Sequence, residues 1–208
     1  AIQFNEVLNS QANNINLEFF EGFFILDSIV TIDLSKSFEH LKDQDTTGAS
    51  HFYLALLNKN TDKAYNYIKE YIRKQPNDYR GVLLYANLLF DRSDWISALM
   101  QYNRVLWLGE NNFEVHLKIA KCLINIQEYF EATNSLKKAI SFNPYNHSAH
   151  YYLGISLINL NKFDDAIYSL TQSLLLDPEN SNTYYYLGKC YYETAKNIQA
   201  REAFNKVI

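Results

Sequence analysis

The sequence predicts an all-α chain built as a stack of antiparallel helix hairpins, and three observations lead there. The first is an internal period. The stretch from His147 to Pro178, HSAHYYLGISLINLNKFDDAIYSLTQSLLLDP, returns 34 residues later, so that Leu153-Gly154 recurs as Leu187-Gly188. Ala200, Ala166, Ala132, Ala98 and Ala64 stand in strict register at that interval. The second is spacing within each repeat: Phe163, Ala166, Leu170 and Leu174 fall three, four and four apart, which places them on one face of a helix. The third is composition. With 48% hydrophobic residues and only six glycines and three prolines in 208 positions, the chain is too apolar to be disordered and is expected to fold mostly as helix.

Residues 1–44 do not hold the register, since Val30 and Leu34 fall where a small residue and an aromatic belong. Two readings stand: a divergent, shortened repeat with Gly22 as its small position and helices over Leu17–Ser28 and Leu34–Leu41, or an unrelated helical segment packed over the first repeat. Either must bury Phe19, Phe20, Phe23 and Phe24. The Asp43–Gly48 stretch, DQDTTG, is a local break.

From residue 45 onward, hairpins are expected over 46–75, 78–108, 112–142, 146–176 and 180–208. The first is irregular: His51-Phe52 replaces the Leu-Gly pair and Thr61 replaces an aromatic. The second carries Ala86 and the stripe Trp95, Ala98, Tyr102 and Leu106, and the third Ala120 with Tyr129, Ala132, Leu136 and Ile140. The fourth is the reference copy. The fifth keeps Gly188, Ala200 and Phe204 but has Asn197 at an aromatic position. Small residues at the eighth and twentieth positions let paired helices approach at the close end of the usual range of about 8–10 Å. Pro76, Pro144 and Pro178 close their repeats, because proline lacks an N–H and restricts the residue before it, while Glu110 stands where the fourth proline would be. Asn161 before Asp164 and Asp165, and Ser93 before Asp94, read as helix caps followed by acids. Ordering a hairpin of this length costs on the order of 50 kcal/mol at roughly 1.5 per residue. A lone hairpin cannot offset that, so stacking into one continuous body is expected.

Over residues 45–208 this pattern resembles the tetratricopeptide repeat family, whose signature is a Leu-Gly pair, an aromatic, a small residue, a further aromatic and a closing proline. The resemblance implies a right-handed superhelix, an α-solenoid, with the first helix of each hairpin lining its concave face. Carried over position by position, the residues pointing into that groove include Leu117, Lys118 and Lys121 of the third hairpin, Tyr151, Tyr152 and Ile155 of the fourth, and Tyr185, Tyr186, Lys189 and Tyr192 of the fifth. The implied function is a non-catalytic scaffold that holds a protein or peptide segment in the concave groove, as a subunit of a larger complex. One subfamily grips carboxylate tails with a lysine–asparagine set. It is missing here: Asn87, for example, is preceded by Leu83 where lysine is needed. The rival implied by the family is the substrate-docking arm of an enzyme such as a glycosyltransferase, with its catalytic domain outside this chain. Those enzymes line the groove with asparagines, which apolar side chains replace here.

Other function classes have little support. A net charge of −4 with no basic stripe argues against nucleic-acid binding. The apolar run from Ile15 to Ile32 contains Glu18, Glu21 and Asp27, each opposing insertion, so no membrane insertion is expected. Cys122 and Cys190 occupy the same position in repeats two apart, too far for a disulfide, and free thiols suit a cytoplasmic, reducing compartment. His147 and His150 lie three apart, but no further ligand completes a metal set, and no cofactor is expected. Asn146-His147-Ser148 matches the glycosylation pattern, but at a helix start. Nucleophile elbows and phosphate loops are absent, so the chain is expected not to be an enzyme.

Overall fold

A computed structural model of the chain describes residues 35–36, 38–59 and 61–207. Among these residues are ten α-helices in consecutive pairs, a short helical turn over 38–41, and no strand. The two readings of residues 1–44, with the burial of the four phenylalanines, lie outside the described residues except at that turn. Where one continuous body was expected, the chain groups into two compact units, Ala1–Asp94 and Trp95–Ile208.

The N-terminal unit contains α1 (Ala49–Leu57), α2 (Asp62–Lys74) and α3 (Tyr79–Asp91). Phe38 and Leu41 of the preceding turn pack with Ala49, Tyr53 and Leu54 of α1, the Phe38 and Tyr53 rings stacking at 5.2 Å. The DQDTTG break is an ordered loop built on Asp45, which is buried. Its Oδ1 accepts the N–H groups of Thr47 (2.9 Å) and Gly48 (3.1 Å) and its Oδ2 that of Ser50 (2.6 Å), while Lys74 of α2 donates to its carbonyl at 2.6 Å. Phe52, at the position small in other repeats, leans on Tyr71 at 5.1 Å. Gly81 is a small residue that the repeat register does not flag: a Cβ there would run into the Tyr71 ring, whose hydroxyl donates to Asp78 at the start of α3.

The C-terminal unit contains α4 (Trp95–Trp107), α5 (Phe113–Asn125), α6 (Tyr129–Phe142), α7 (His147–Asn159), α8 (Phe163–Leu176), α9 (Ser181–Glu193) and α10 (Asn197–Asn205). Helices α5 with α6, α7 with α8, and α9 with α10 form the expected hairpins, and α6 and α8 pack on the first helix of the next. The twentieth-position alanines Ala132 and Ala166 are fully buried, as are Leu136 and Leu170. The small eighth position has a direct cause. A Cβ on Gly154 would lie 2.6 Å from Leu170 Cγ and Cδ2, and one on Gly188 would lie 2.7 Å from the Phe204 ring.

Helix starts follow two rules. The first helices α5, α7 and α9 are capped by a side chain: Asn112, Asn146 and Asn180 accept from the N–H groups of Val115 (3.0 Å), Ala149 (3.1 Å) and Thr183 (3.1 Å). The second helices α4, α6, α8 and α10 follow a tight turn instead. Ser93 (φ 61°), Gln127 (φ 65°), Asn161 (φ 57°) and Ala195 (φ 58°) take the left-handed conformation. At Asn161 the turn is closed by its own N–H on Ile158 O (2.9 Å) and by Lys162 N–H on Leu157 O (2.9 Å), the paired bonds of a Schellman termination. Asn161 and Ser93 therefore end the preceding helix, and the expectation that they cap the next one is corrected; the residue preceding α8 is Lys162, which makes no side-chain cap.

The missing proline at Glu110 has the same explanation. Gly109 (φ 97°) ends α4, with Gly109 N–H on Leu106 O (3.1 Å) and Glu110 N–H on Val105 O (3.2 Å), so a glycine terminator does the work of proline at this junction. Open space surrounds the Gly109 Cα. Gly109→Ala is therefore expected to cost about 1–2 kcal/mol through backbone strain alone. Equilibrium denaturation checks it, and an unchanged midpoint would show that this turn relaxes freely.

Cys122 and Cys190 are free and fully buried. Burial pushes their thiols up to about 12 and about 11 respectively, which suppresses the reactive thiolate. Native protein in oxidising buffer should thus take up no alkylating reagent, whereas denatured protein takes up two equivalents by mass. An intramolecular disulfide from folded monomer would contradict the 34-residue register.

Candidate functional site

The first helices α5, α7 and α9 lie side by side, α7 touching both of the others. Their shared face carries the residues expected to meet a partner. Tyr151 and Tyr152, adjacent on α7, meet edge to face at 5.2 Å; Tyr151 meets Tyr186 of α9 at 5.9 Å; Tyr185 and Tyr186 meet at 5.3 Å. Tyr185 then reaches Phe204 of α10 at 6.1 Å. At the other end, the Lys121 ammonium of α5 sits 4.7 Å from the centre of the Tyr152 ring. A continuous aromatic path thus runs over α7 and α9 to α10, with Lys121 of α5 at its other end, and its tyrosine pairs take the edge-to-face geometry that aromatic quadrupoles favour.

The ten expected residues are not equally available. Tyr185 (50% exposed) and Tyr192 (67%) project from the surface, and Lys189 is exposed. Tyr151, Tyr152 and Tyr186 are half-buried and pack on the core of the unit. Burial raises the Tyr151 phenol to about 12. Packing therefore accounts for part of the tyrosine cluster. Leu117, only 7% exposed, belongs to the core itself. Ile155 and Lys118 are half-buried. Phe204 was legible only as a core position answering Leu170; its ring is longer than a leucine and extends past Gly188 to Tyr185.

Lys121 is the unusual charge of this face. Burial lowers the affinity of its amine for the proton, opposed by Glu114. The asparagines nearby are committed to their own helices: Asn125 Nδ2 donates to Lys121 O at 2.8 Å and Asn159 Nδ2 to Ile155 O at 2.9 Å. The histidines serve local structure. His150 Nε2 bonds Pro144 O at 2.9 Å, His147 Nδ1 lies 3.4 Å from Asp177, and His116 stacks on Phe142, its imidazole held below the usual range by burial.

Family models match most of the described array. Residues 147–180 and 183–208 each match a tetratricopeptide repeat. The chain is a tetratricopeptide-repeat protein. Residues 57–139 of this repeat protein match the model described as anaphase-promoting complex, cyclosome, subunit 3. Among solved structures, the fold is similar to a MamA protein (TM-score 0.74, 20% identity, 77% of this chain and 90% of that one). It is also similar to MamA from Desulfovibrio magneticus RS-1 (TM-score 0.70, 23% identity, 84% and 93%). A third is YrrB, described as a TPR protein with an unusual peptide-binding site (TM-score 0.74, 17% identity, 84% and 90%). No curated protein matches the repeat array. At these identities the structural likeness speaks to the fold.

Proposed function

We propose that this tetratricopeptide protein is a non-catalytic interaction scaffold that holds a segment of a partner protein on the face formed by α5, α7 and α9. The observation that carries the reading is the aromatic path from Lys121 to Phe204, with Tyr185 of the path and Tyr192 further along α9 exposed to solvent. Tyrosine gives a large contact area at small entropic cost and is enriched among binding hot spots. The match of residues 57–139 to a subunit model favours a place in a larger assembly, and the peptide-binding description of YrrB favours a peptide-like ligand. Two buried free thiols suit the reducing cytoplasm. Among the described residues no helix is long and apolar enough to cross a membrane.

Because Tyr152 and Tyr186 also pack on the core, binding and folding separate best at the two exposed rings. Tyr185→Ala with Tyr192→Ala should weaken binding of a partner purified from the native source by about 2 kcal/mol or more. The thermal midpoint should stay within a few degrees of wild type. Undiminished binding by the double variant would move the site elsewhere, first to the second-helix side, where Ile96, Met100 and Trp107 are exposed.

A further inference from the structure

We propose that the α5–α7–α9 face selects an extended segment of about six residues with two anchors. An acidic side chain sits against Lys121 at the α5 end, and an aromatic or large aliphatic side chain sits between Tyr185 and Tyr192 at the α9 end. This rests on the reading of that face as the partner site and adds the chemistry and spacing of what it takes.

The acidic anchor follows from Lys121. Its ammonium lies over the Tyr152 ring in a half-buried position, where lost hydration is made up only by a ring quadrupole and by Glu114 at longer range. Among the described residues no carboxylate lies within ion-pair distance of it. A cation desolvated in this way gains from an incoming anion more than an exposed lysine would.

A side-chain carboxylate fits better than a chain terminus. A terminus gripped together with its backbone needs several amide donors aimed at it, and Asn125 and Asn159 each spend one of their two on the carbonyls of Lys121 and Ile155. At the α9 end no such charge is buried, and Tyr185, beside the partly exposed Phe204, and Tyr192 offer exposed rings. Neighbouring helices lie roughly 8–10 Å apart, so α5 to α9 spans about 20 Å. An extended chain at about 3.3–3.6 Å per residue crosses that in about six residues.

The test is selection of peptides from a library of randomised twelve-residue segments, displayed with no free C-terminus, on the whole chain. Wild type should recover sequences pairing Asp or Glu with an aromatic or large aliphatic residue five or six positions away. Selection on Lys121→Met should keep the apolar anchor and lose the acid. Selection on Tyr185→Ala with Tyr192→Ala should do the reverse. A recovered peptide, synthesised with an amidated end, should bind Lys121→Met about tenfold more weakly than wild type and lose affinity as salt is raised.

Peptides that compete for the face but show no acid preference, or bind Lys121→Met equally well, would overturn this inference and leave the interaction face standing. A requirement for a free C-terminal carboxylate, tested with a matched amidated peptide, would overturn the side-chain assignment. Failure to recover any peptide sensitive to either set of substitutions would overturn the face as a partner site, and this inference with it. Thermal melts of each variant separate lost recognition from lost folding.

Discussion

Asp45→Ala is expected to destabilise the N-terminal unit by about 3–4 kcal/mol, more than any surface change in the chain. The carboxylate is buried and accepts three backbone N–H groups, from Thr47, Gly48 and Ser50, as well as the Thr47 hydroxyl at 2.6 Å. Hydrogen bonds to a charged group contribute about 1.5–3 kcal/mol each, less when they share one acceptor, and the variant leaves donors buried without a partner. The Ser50 bond lies in the first turn of α1, where a negative charge is also favoured by the helix dipole. Asp45→Asn should fall between, since one carboxamide position presents N–H to an N–H. Chemical denaturation with hydrogen exchange at α1 measures the effect. A loss below about 1 kcal/mol for the alanine variant would mean that water replaces the carboxylate and that the loop is not organised by it.

Gly154→Leu is expected to cost about 3 kcal/mol and to release protection in α7 and α8 together. Even the first added carbon would stand 2.6 Å from Leu170, which is fully buried. Overpacking of this kind typically costs about 1–3 kcal/mol, and here both helices of the hairpin must part to relieve it. Leu170→Ala alone should cost about 2–5 kcal/mol by leaving a cavity. Combining the two places the new side chain in that cavity, so the double variant should be clearly more stable than the sum of the single losses predicts. Strict additivity across the four proteins would remove the claim that Gly154 is small because of Leu170.

The repeat array was legible because its signals are local and recur. Alanines at a fixed interval, amphipathic stripes and closing prolines each reflect a packing need that every hairpin shares. What the register could not convey lies in departures from it. Glu110 read as a lost proline because the compensating Gly109 sits one residue earlier and acts through φ rather than through a missing N–H. Asn161 and Ser93 read as caps because asparagine and serine serve at both ends of helices, and only the backbone conformation separates the roles. On the candidate face, family positions located the tyrosines but not their burial. Side chains of α7 have neighbours on both sides, whereas those of α9 have more open surroundings, so the same position is half-buried at Tyr151 and exposed at Tyr185.

The four left-handed turn residues bear on how this array can change over time. Ser93, Gln127, Asn161 and Ala195 each hold a conformation that costs a residue with a Cβ about 1 kcal/mol relative to glycine. They sit one in each of the last four hairpins, and all but Ala195, whose N–H bonds Tyr192 O, lie away from the candidate face, so substitutions to glycine should add nearly independently. Several kcal/mol is a large share of the 5–15 that typically separates folded from unfolded chains. A lineage, or a protein engineer, that remodels the tyrosine face for a new partner can therefore restore lost stability at the turns without touching the residues that choose the ligand.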